Sequence, residues 1–204
     1  FYWVLVTACL WWFMRAPRAA PPGRRPRVSL IKPLCGVEHG LEENLATALE
    51  QDYPDYEVVF SVQSAADPAL AVAERLRERS PERVKVVVDE ACAGPNGRLC
   101  NILNATKRAD GEVLVYSDSD MHLDPGYLAA VTAPLADPAV GVACTVYRAW
   151  RPRGLFERLE LLSLNAEFVP AMVFATVTGA SPACPGASQA LRRETLERIG
   201  GLEP

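Results

Sequence analysis

Two carboxylates stand directly after an apolar stretch near the middle of the chain. In GEVLVYSDSDM, Asp118 and Asp120 follow a run of residues that is typical of a buried strand. Alternate side chains of an extended segment point the same way and lie about 6.6 Å apart, at roughly 3.3 Å per residue. Because two such acids repel one another, a hard divalent cation with oxygen ligands would stabilise them. The pair therefore predicts a site for Mn²⁺ or Mg²⁺, with a solvated acidic turn as the alternative.

Three more loops follow predicted strands, namely KPLCG (32–36), QSAADP (63–68) and CAGPNGR (92–98). They contribute two cations, one acid and two glycines whose backbone could approach a phosphate closely: Lys32, Arg98, Asp67, Gly94 and Gly97. Ligands of open α/β sheets bind beyond the carboxyl ends of the strands, where such loops meet. Together these residues suit a nucleoside diphosphate with a divalent metal.

Each of these residues also has a simpler interpretation. Asp67 precedes Pro68 and could serve only to cap the next helix, as Asp124 does before Pro125. Since Asp124 supplies that cap, the two carboxylates of the DSD segment are left without a structural role. Arg98 could equally be a solvated arginine on the surface of a helix.

The elements that must position these loops alternate along the chain. The patterns predict strands at 28–33, 56–62, 83–88, 112–117 and 140–147, and helices at 41–51, 68–79, 98–108 and 125–136. Alternation at this spacing predicts an α/β fold with parallel strands, right-handed crossovers and helices on both faces of the sheet. The apolar stretch 155–177 is either a helix packed on the core or one that lies in a membrane interface, which nearby arginines would suit.

The first fourteen residues, FYWVLVTACLWWFM, carry no charge. We interpret them as a transmembrane helix, followed by a basic, Pro-rich linker at 15–27 and a single domain at 28–204. Fourteen residues reach about 21 Å as a helix, short of a hydrocarbon core of about 30 Å, so we expect the helix to begin further upstream. A signal peptide is the alternative. Positive charge after the helix predicts a protein of the inner (cytoplasmic) membrane with its domain on the cytoplasmic side.

Charge and cysteine content narrow the function further. Five arginines and no acid lie in residues 1–27, which leaves the rest of the chain with 16 basic and 25 acidic residues and a net charge of −9. So acidic a domain lacks the basic footprint that nucleic-acid binding requires. The six scattered cysteines form no CxxC pair, and we expect reduced thiols.

Four successive segments carry a resemblance to a known family: VSLIKPLCGVE, QDYPDYEVVFSVQSAADPA, SDSDMHLDPGYL and PGASQALRRETLERIGG. They resemble the motifs of membrane-bound ceramide glucosyltransferases, and more closely those of the bacterial hopanoid-biosynthesis-associated glycosyltransferases. The resemblance covers nearly all of residues 28–203. It implies the GT-A fold and inverting transfer of a hexose, glucose or N-acetylglucosamine, from a UDP-sugar to the hydroxyl of a membrane lipid.

The resemblance also implies roles for single residues. Asp67 corresponds to an aspartate near the uridine, and Asp118 to a second aspartate, with Asp120 completing a metal-binding DxD pattern. Arg98 stands where the family has a basic residue, Gly186 to Ser188 match a segment near the donor sugar, and Pro33 of the first motif is a further expected substrate contact.

Two differences from the family pattern matter. Ceramide glucosyltransferases commonly have glycine where this chain has Asp120, which favours a hopanoid over ceramide as the lipid. The family's general base is an aspartate in a motif that would follow Pro204. We therefore expect a fragment without its C-terminal membrane helices, which binds the donor but does not catalyse transfer. A nucleotidyltransferase and a catalytically inactive nucleotide-binding or scaffold module are the competing functions.

Overall fold

A computed structural model describes residues 1–16, 25–92, 94–181 and 184–202. The chain divides into two compact units. The sheet unit comprises Ala19–Cys144 and Gly186–Pro204, and the helical unit comprises Phe1–Arg18 and Thr145–Pro185. Most of the predicted linker, residues 17–24, lies outside the described residues.

The sheet unit contains a six-stranded sheet. Its strands are β1 (Val28–Pro33), β2 (Tyr56–Val62), β3 (Val84–Val88), β4 (Val113–Ser117), β5 (Val142–Cys144) and β6 (Ser188–Arg192), in the order β3-β2-β1-β4-β6-β5. The first four strands are parallel, whereas β6 runs antiparallel to both β4 and β5. The predicted α/β architecture with a mostly parallel sheet is confirmed. The strand β6 was not among the predicted elements.

Four helices of this unit agree with the predictions except near their ends, namely α2 (Leu41–Thr47), α3 (Ala69–Arg79), α4 (Gly97–Arg108) and α5 (Tyr127–Thr132). A fifth helix, α8 (Arg193–Arg198), follows β6. The predicted helix 125–136 changes to a 3₁₀ turn at Ala133–Ala136, which contains Pro134. Proline has no N–H to donate, so it cannot continue the α-helical ladder.

Both faces of the sheet are buried, because helices cover each of them. Along β1, Leu30 packs into the apolar cluster on one face and Ile31 into the cluster on the other. Val58 and Val59 of β2 divide in the same way. All six residues of β1 are buried, which is the pattern expected of a central parallel strand.

The helical unit consists of α1 (Tyr2–Arg15) and a long helix made of α6 (Leu155–Ser163), a π-helical turn (Leu164–Phe168) and α7 (Val169–Val177). Helix α1 packs on α7: the rings of Tyr2 and Phe174 lie 5.7 Å apart, and Val6 and Val173 are buried. Among the described residues, one helix is long and apolar enough to cross a membrane, Leu155–Val177. The 14-residue α1 confirms a helix at this position, and its insertion in a membrane stays a prediction.

The interpretation of 155–177 as a core helix is wrong for α6. Every residue of α6 is exposed or half-buried, and the exposed fractions are 84% for Phe156 and 61% for Leu162. No residue of α6 is therefore part of a buried core.

The expectation of six reduced cysteines is also wrong. Cys92 and Cys100 form a disulfide with their Cα atoms 4.9 Å apart, while Cys9 and Cys35 are free thiols. The sequence contains no CxxC signal here, because the two cysteines are eight positions apart in the chain.

Candidate functional site

The two carboxylates of the DSD segment lie in a turn at the carboxyl end of β4. Asp118 follows the last strand residue, Ser117, and its carbonyl accepts a hydrogen bond from the Met121 N–H at 3.3 Å. The prediction of an extended segment is therefore wrong, because the chain turns back immediately after the strand. Asp118 is half-buried and Asp120 is exposed, so both acids remain at the surface of this end of the sheet.

Lys32 lies beneath this turn. The prediction that it belongs to a donor-binding loop is wrong, since it is a fully buried residue of β1. Its Nζ donates to Asp118 O at 2.8 Å, Met121 O at 3.2 Å and Ser117 Oγ at 3.3 Å. Burial lowers the pKa of the Lys32 amine to about 7, against the opposing effect of the negative charges of Asp120 and Asp118.

Arg98 joins the turn from the first turn of α4. Its Nε and Nη2 lie 2.7 and 2.5 Å from Oδ1 of Asp118, and Nη2 also donates to Gly186 O at 2.9 Å. Asn96 fixes the start of this helix, because its Oδ1 accepts the Leu99 N–H at 3.2 Å. Arg98 is exposed on the helix, as the alternative expects, but its guanidinium is paired with Asp118 and Gly186.

The antiparallel strand β6 brings the segment from Gly186 to Ser188 to the same place. Ser117 pairs with Ser188, so the residues before β6 lie beside those after β4, and the Asp118 N–H donates to Ala187 O at 3.1 Å. Ser188 Oγ lies 2.7 Å from the hydroxyl of Tyr127. Burial raises the pKa of the Tyr127 phenol to about 12, so the phenol is protonated at neutral pH.

Asp67 lies at a neighbouring strand end and has two structural partners. Its Oδ1 accepts the Ala69 N–H at 2.8 Å, which caps α3, and the carboxylate also accepts the Gly36 N–H at 3.0 Å from Oδ1 and 3.2 Å from Oδ2. Gly36 has a φ of +69°, a conformation that favours glycine. Asp67 thus ties the loop after β1 to the start of α3, in addition to the expected cap. Pro33 is buried at the end of β1.

Tyr127 is absent from the site residues expected from the sequence, and Lys32 is expected there only as a cation of a loop. The burial of Lys32 could have been noticed, because it is a charged residue in a mostly apolar strand, VSLIKP, that is expected to be buried on both faces. Tyr127 gave no such signal, because only the register between β4 and β6 places Ser188 beside its hydroxyl.

The acids of the turn fit a metal that also takes ligands from a bound donor. Within the described residues, no group of three or more His, Cys, Asp or Glu side chains is placed to hold a metal ion. Mg²⁺-type sites commonly use one or two carboxylates and complete the coordination with substrate phosphates and water. The chemistry of Asp118 and Asp120 agrees with that arrangement, and Arg98 stands next to them as a cation for an anionic ligand.

Comparison with known sequences and structures gives consistent relatives. The sequence pattern of Glycosyl transferase family 21 matches residues 1–204. Ceramide glucosyltransferase 1 of Caenorhabditis elegans is 22% identical over 188 residues, which is 91% of this chain and 40% of that enzyme. The GalNAc(5)-diNAcBac-PP-undecaprenol beta-1,3-glucosyltransferase of Campylobacter jejuni is 28% identical over 107 residues, 52% of this chain and 33% of that protein.

Among solved structures, the mannosyltransferase PcManGT of Pyrobaculum calidifontis, in complex with GDP-Man and Mn²⁺, is similar over 98% of this chain and 53% of its own, with a TM-score of 0.66 and 29% identity. This similarity confirms the predicted GT-A-type fold. The chain spans less than half the length of the two glucosyltransferases above.

Proposed function

The chain belongs to Glycosyl transferase family 21, and we propose that it binds the UDP-sugar donor in an enzyme that transfers a hexose to the hydroxyl of a membrane lipid. The single observation that carries this proposal is the meeting of Arg98, Asp118 and Gly186 at the carboxyl end of the sheet. A cation, a half-buried acid and a backbone carbonyl from three separate elements converge there, at the edge where α/β sheets bind nucleotides.

Arg98 is proposed to bind the diphosphate of the donor. The guanidinium is a planar fork that makes bidentate bonds to oxyanions, and its present partners are one carboxylate oxygen and one carbonyl. A diphosphate would replace Asp118 as its partner, which leaves Oδ1 of that acid able to bind a cation. Donor binding and metal binding are thus coupled through a single side chain.

Asp118 and Asp120 are proposed to hold Mn²⁺ or Mg²⁺. A metal bound there acts as a Lewis acid on the departing diphosphate. The assignment is supported by the archaeal mannosyltransferase, whose structure contains GDP-Man and Mn²⁺. Asp67 is proposed to contribute to the donor pocket near the uridine, Gly186 and Ser188 to lie near the sugar, and Pro33 to shape the end of β1.

The acceptor is proposed to be a membrane lipid, as the names of the C. elegans and C. jejuni glucosyltransferases suggest. Asp120, in the position where ceramide glucosyltransferases commonly have glycine, favours a hopanoid, with a ceramide-like lipid as the alternative. Either acceptor carries a hydroxyl on an apolar body. We further propose that the reaction inverts the configuration of the anomeric carbon and that the transferred sugar is glucose or N-acetylglucosamine.

The helical unit supports a membrane partner independently. Its ranges contain six arginines and three glutamates, whereas the sheet unit contains 15 basic and 22 acidic residues. The cations of the helical unit accompany exposed apolar residues of α1 and α6, including Trp11 at 58% and Phe156 at 84% exposure. A basic surface with exposed aromatic residues fits an anionic lipid interface.

The side of the membrane is proposed to be the cytoplasmic face of the inner membrane, because basic residues follow α1. The Cys92–Cys100 disulfide argues for an oxidising compartment instead. Protease digestion of sealed vesicles of known orientation distinguishes the two locations. Protection of the sheet unit in right-side-out vesicles is the result expected of the cytoplasmic location.

The test of the whole proposal is a transfer assay in membranes that contain the native protein. Radiolabelled UDP-glucose and UDP-N-acetylglucosamine are supplied separately, with Mn²⁺ or Mg²⁺, and the lipid extract is separated by chromatography. Label in a glycolipid, dependent on metal and absent for the Asp118→Asn variant, is the expected result. Label that remains water-soluble with every donor would contradict the proposal.

A further inference from the structure

The side chain of Lys32 has no access to solvent. Its exposed fraction is 0%, and it is the second-last residue of β1, an interior strand of the sheet. Removing an ammonium group from water is costly unless hydrogen bonds replace the lost hydration. The partners that compensate for this burial therefore indicate what the residue does.

The partners all belong to the turn at the end of β4. An ammonium group has three donors and no acceptor, and the three donors of Lys32 go to Ser117 Oγ, Asp118 O and Met121 O. Two of the three are main-chain carbonyls, so the residue binds the backbone of the turn. The carboxylates of the turn take no part in these hydrogen bonds.

These hydrogen bonds fix the shape of the turn from its buried side. The Asp118 carbonyl accepts from Lys32 and also from the Met121 N–H, so the first and last residues of the turn are held on one ammonium group. Asp120, which lies between them in the chain, is exposed to solvent. A turn that is closed in this way presents its two acids in one fixed relation.

We propose that Lys32 is a positioning residue for the metal site: it holds the backbone from Asp118 to Met121 in the shape in which Asp118 and Asp120 bind one cation. The inference rests on the proposed metal-dependent donor site. Lys32 touches neither the cation nor the donor and acts through the turn.

The direction in which the Mn²⁺ affinity changes when Lys32 is replaced distinguishes a positioning role from a purely electrostatic one. If Lys32 acted only through its charge, its removal would take a repulsive cation away from the site, and Mn²⁺ would bind more tightly. If Lys32 positions the turn, its removal disorders the ligands, and Mn²⁺ binds more weakly. Partners that orient metal ligands typically change the affinity by about 10 to 100-fold when they are removed.

The experiment compares Lys32→Met with Lys85→Met. Lys85 is the matched control, because its Nζ pairs with Glu57 at 2.7 Å and with Asp110 at 2.6 Å, near the amino end of the same sheet. Electron paramagnetic resonance measures Mn²⁺ binding to the chain in detergent, in the presence of UDP. We expect Kd for Mn²⁺ to rise about tenfold or more in Lys32→Met and to stay within about twofold in Lys85→Met. Unchanged or tighter Mn²⁺ binding by Lys32→Met would overturn the inference.

Near-UV circular dichroism and a melting curve check the fold of each variant. If Lys32→Met does not fold, Lys32→Leu, which likewise has no donor for the turn, takes its place. Weaker Mn²⁺ binding by a folded Lys32→Leu supports the inference, and wild-type affinity overturns it. If the wild-type chain shows no metal-dependent UDP binding, the proposed function itself is overturned. If the wild type binds UDP and Mn²⁺ and the Lys32 variants bind Mn²⁺ with the same affinity, only the positioning role is overturned.

Discussion

Arg98 Nε lies 2.7 Å from Oδ1 of Asp118, so the cation proposed for the donor phosphate and an acid proposed for the metal neutralise one another. The pair is partly exposed, with 44% of the Arg98 side chain and 31% of the Asp118 side chain accessible, and it joins α4 to the end of β4. Such a pair contributes little to stability in water. Its placement at the carboxyl edge of the sheet is therefore more informative about ligand binding than about folding.

Arg98→Gln is expected to weaken UDP binding, because a charged donor to the diphosphate is lost. Hydrogen bonds to charged groups are worth about 1.5 to 3 kcal/mol, which corresponds to roughly 10 to 100-fold in Kd. Calorimetry with UDP and Mn²⁺ measures the change. Arg198→Gln is the control, since Arg198 pairs only with Glu194 along the exposed surface of α8 among the contacts described. An equal loss of UDP affinity in the two variants would show that any lost positive charge weakens binding, and that Arg98 has no specific contact with the diphosphate.

Asp67→Ala is expected to lower both stability and UDP affinity. The variant loses the cap on Ala69 and the link to Gly36, so α3 and the loop after β1 are both released. Loss of a cap costs about 1 kcal/mol of folding free energy and leaves the affinity of the folded protein nearly unchanged. A lower melting temperature with wild-type UDP affinity would show that Asp67 serves only as a helix cap.

Glu57 is expected to make folding sensitive to acid. Burial raises the pKa of this carboxyl, but hydrogen bonds from the Asp110 N–H, Lys85 and Ser29 outweigh burial and leave the pKa below its ordinary value of 4.5. A lowered folded-state pKa stabilises the protein at pH values above the unfolded pKa, and that stabilisation is lost as the pH falls through the folded pKa.

Urea denaturation at about pH 7 and about pH 4 measures this dependence. The free energy of unfolding is expected to fall more in the wild type than in Glu57→Gln, whose side chain cannot be protonated. Glu50→Gln, at an exposed position, is expected to behave like the wild type. If the free energy of unfolding falls by the same amount in all three proteins, Glu57 is not the cause of the acid sensitivity.

The apolar surface of α6 is expected to bind lipid. Charges at Phe156 and Leu159, which are 84% and 55% exposed, would oppose insertion of that surface. The double variant Phe156→Glu/Leu159→Glu should float less with anionic vesicles than the wild type. Val37→Glu/Ile199→Glu, which alters two exposed apolar residues of the sheet unit, should float normally. Equal flotation of the two double variants would locate the lipid-binding surface elsewhere.

The sequence predicts the sheet well and the site only in part. The parallel strands are evident because each is a mostly apolar run between polar loops, as in VSLIKP and YEVVFSV. The strand β6 is not evident, since SQALR is short and mixes polar with apolar residues, and its pairing depends on a partner far away in the chain. The contact between Arg98 and Gly186 could not be derived locally for the same reason.

Local patterns also misassign residues whose partners are distant. The motif around Lys32 suggests a loop ligand, whereas the position of the strand end decides that its amine is buried. The strand end at residue 117 is predicted correctly, but the strand pattern carries no information on the path of the chain beyond it. A turn begins immediately after Ser117, where the sequence predicts an extended segment, and this changes where the carboxylates of Asp118 and Asp120 lie.

The central claim is a metal-dependent donor site at the turn after β4, and Asp120→Asn tests it most directly. Asp120 is exposed, so the substitution should leave the melting temperature nearly unchanged. Calorimetry of the chain with UDP, with and without Mn²⁺, compares the wild type with Asp120→Asn and with Asp52→Asn, another exposed aspartate of the sheet unit. We predict that Mn²⁺ strengthens UDP binding in the wild type and in Asp52→Asn, and that this strengthening is lost in Asp120→Asn. Equal Mn²⁺-dependent affinity in all three proteins would contradict the metal site.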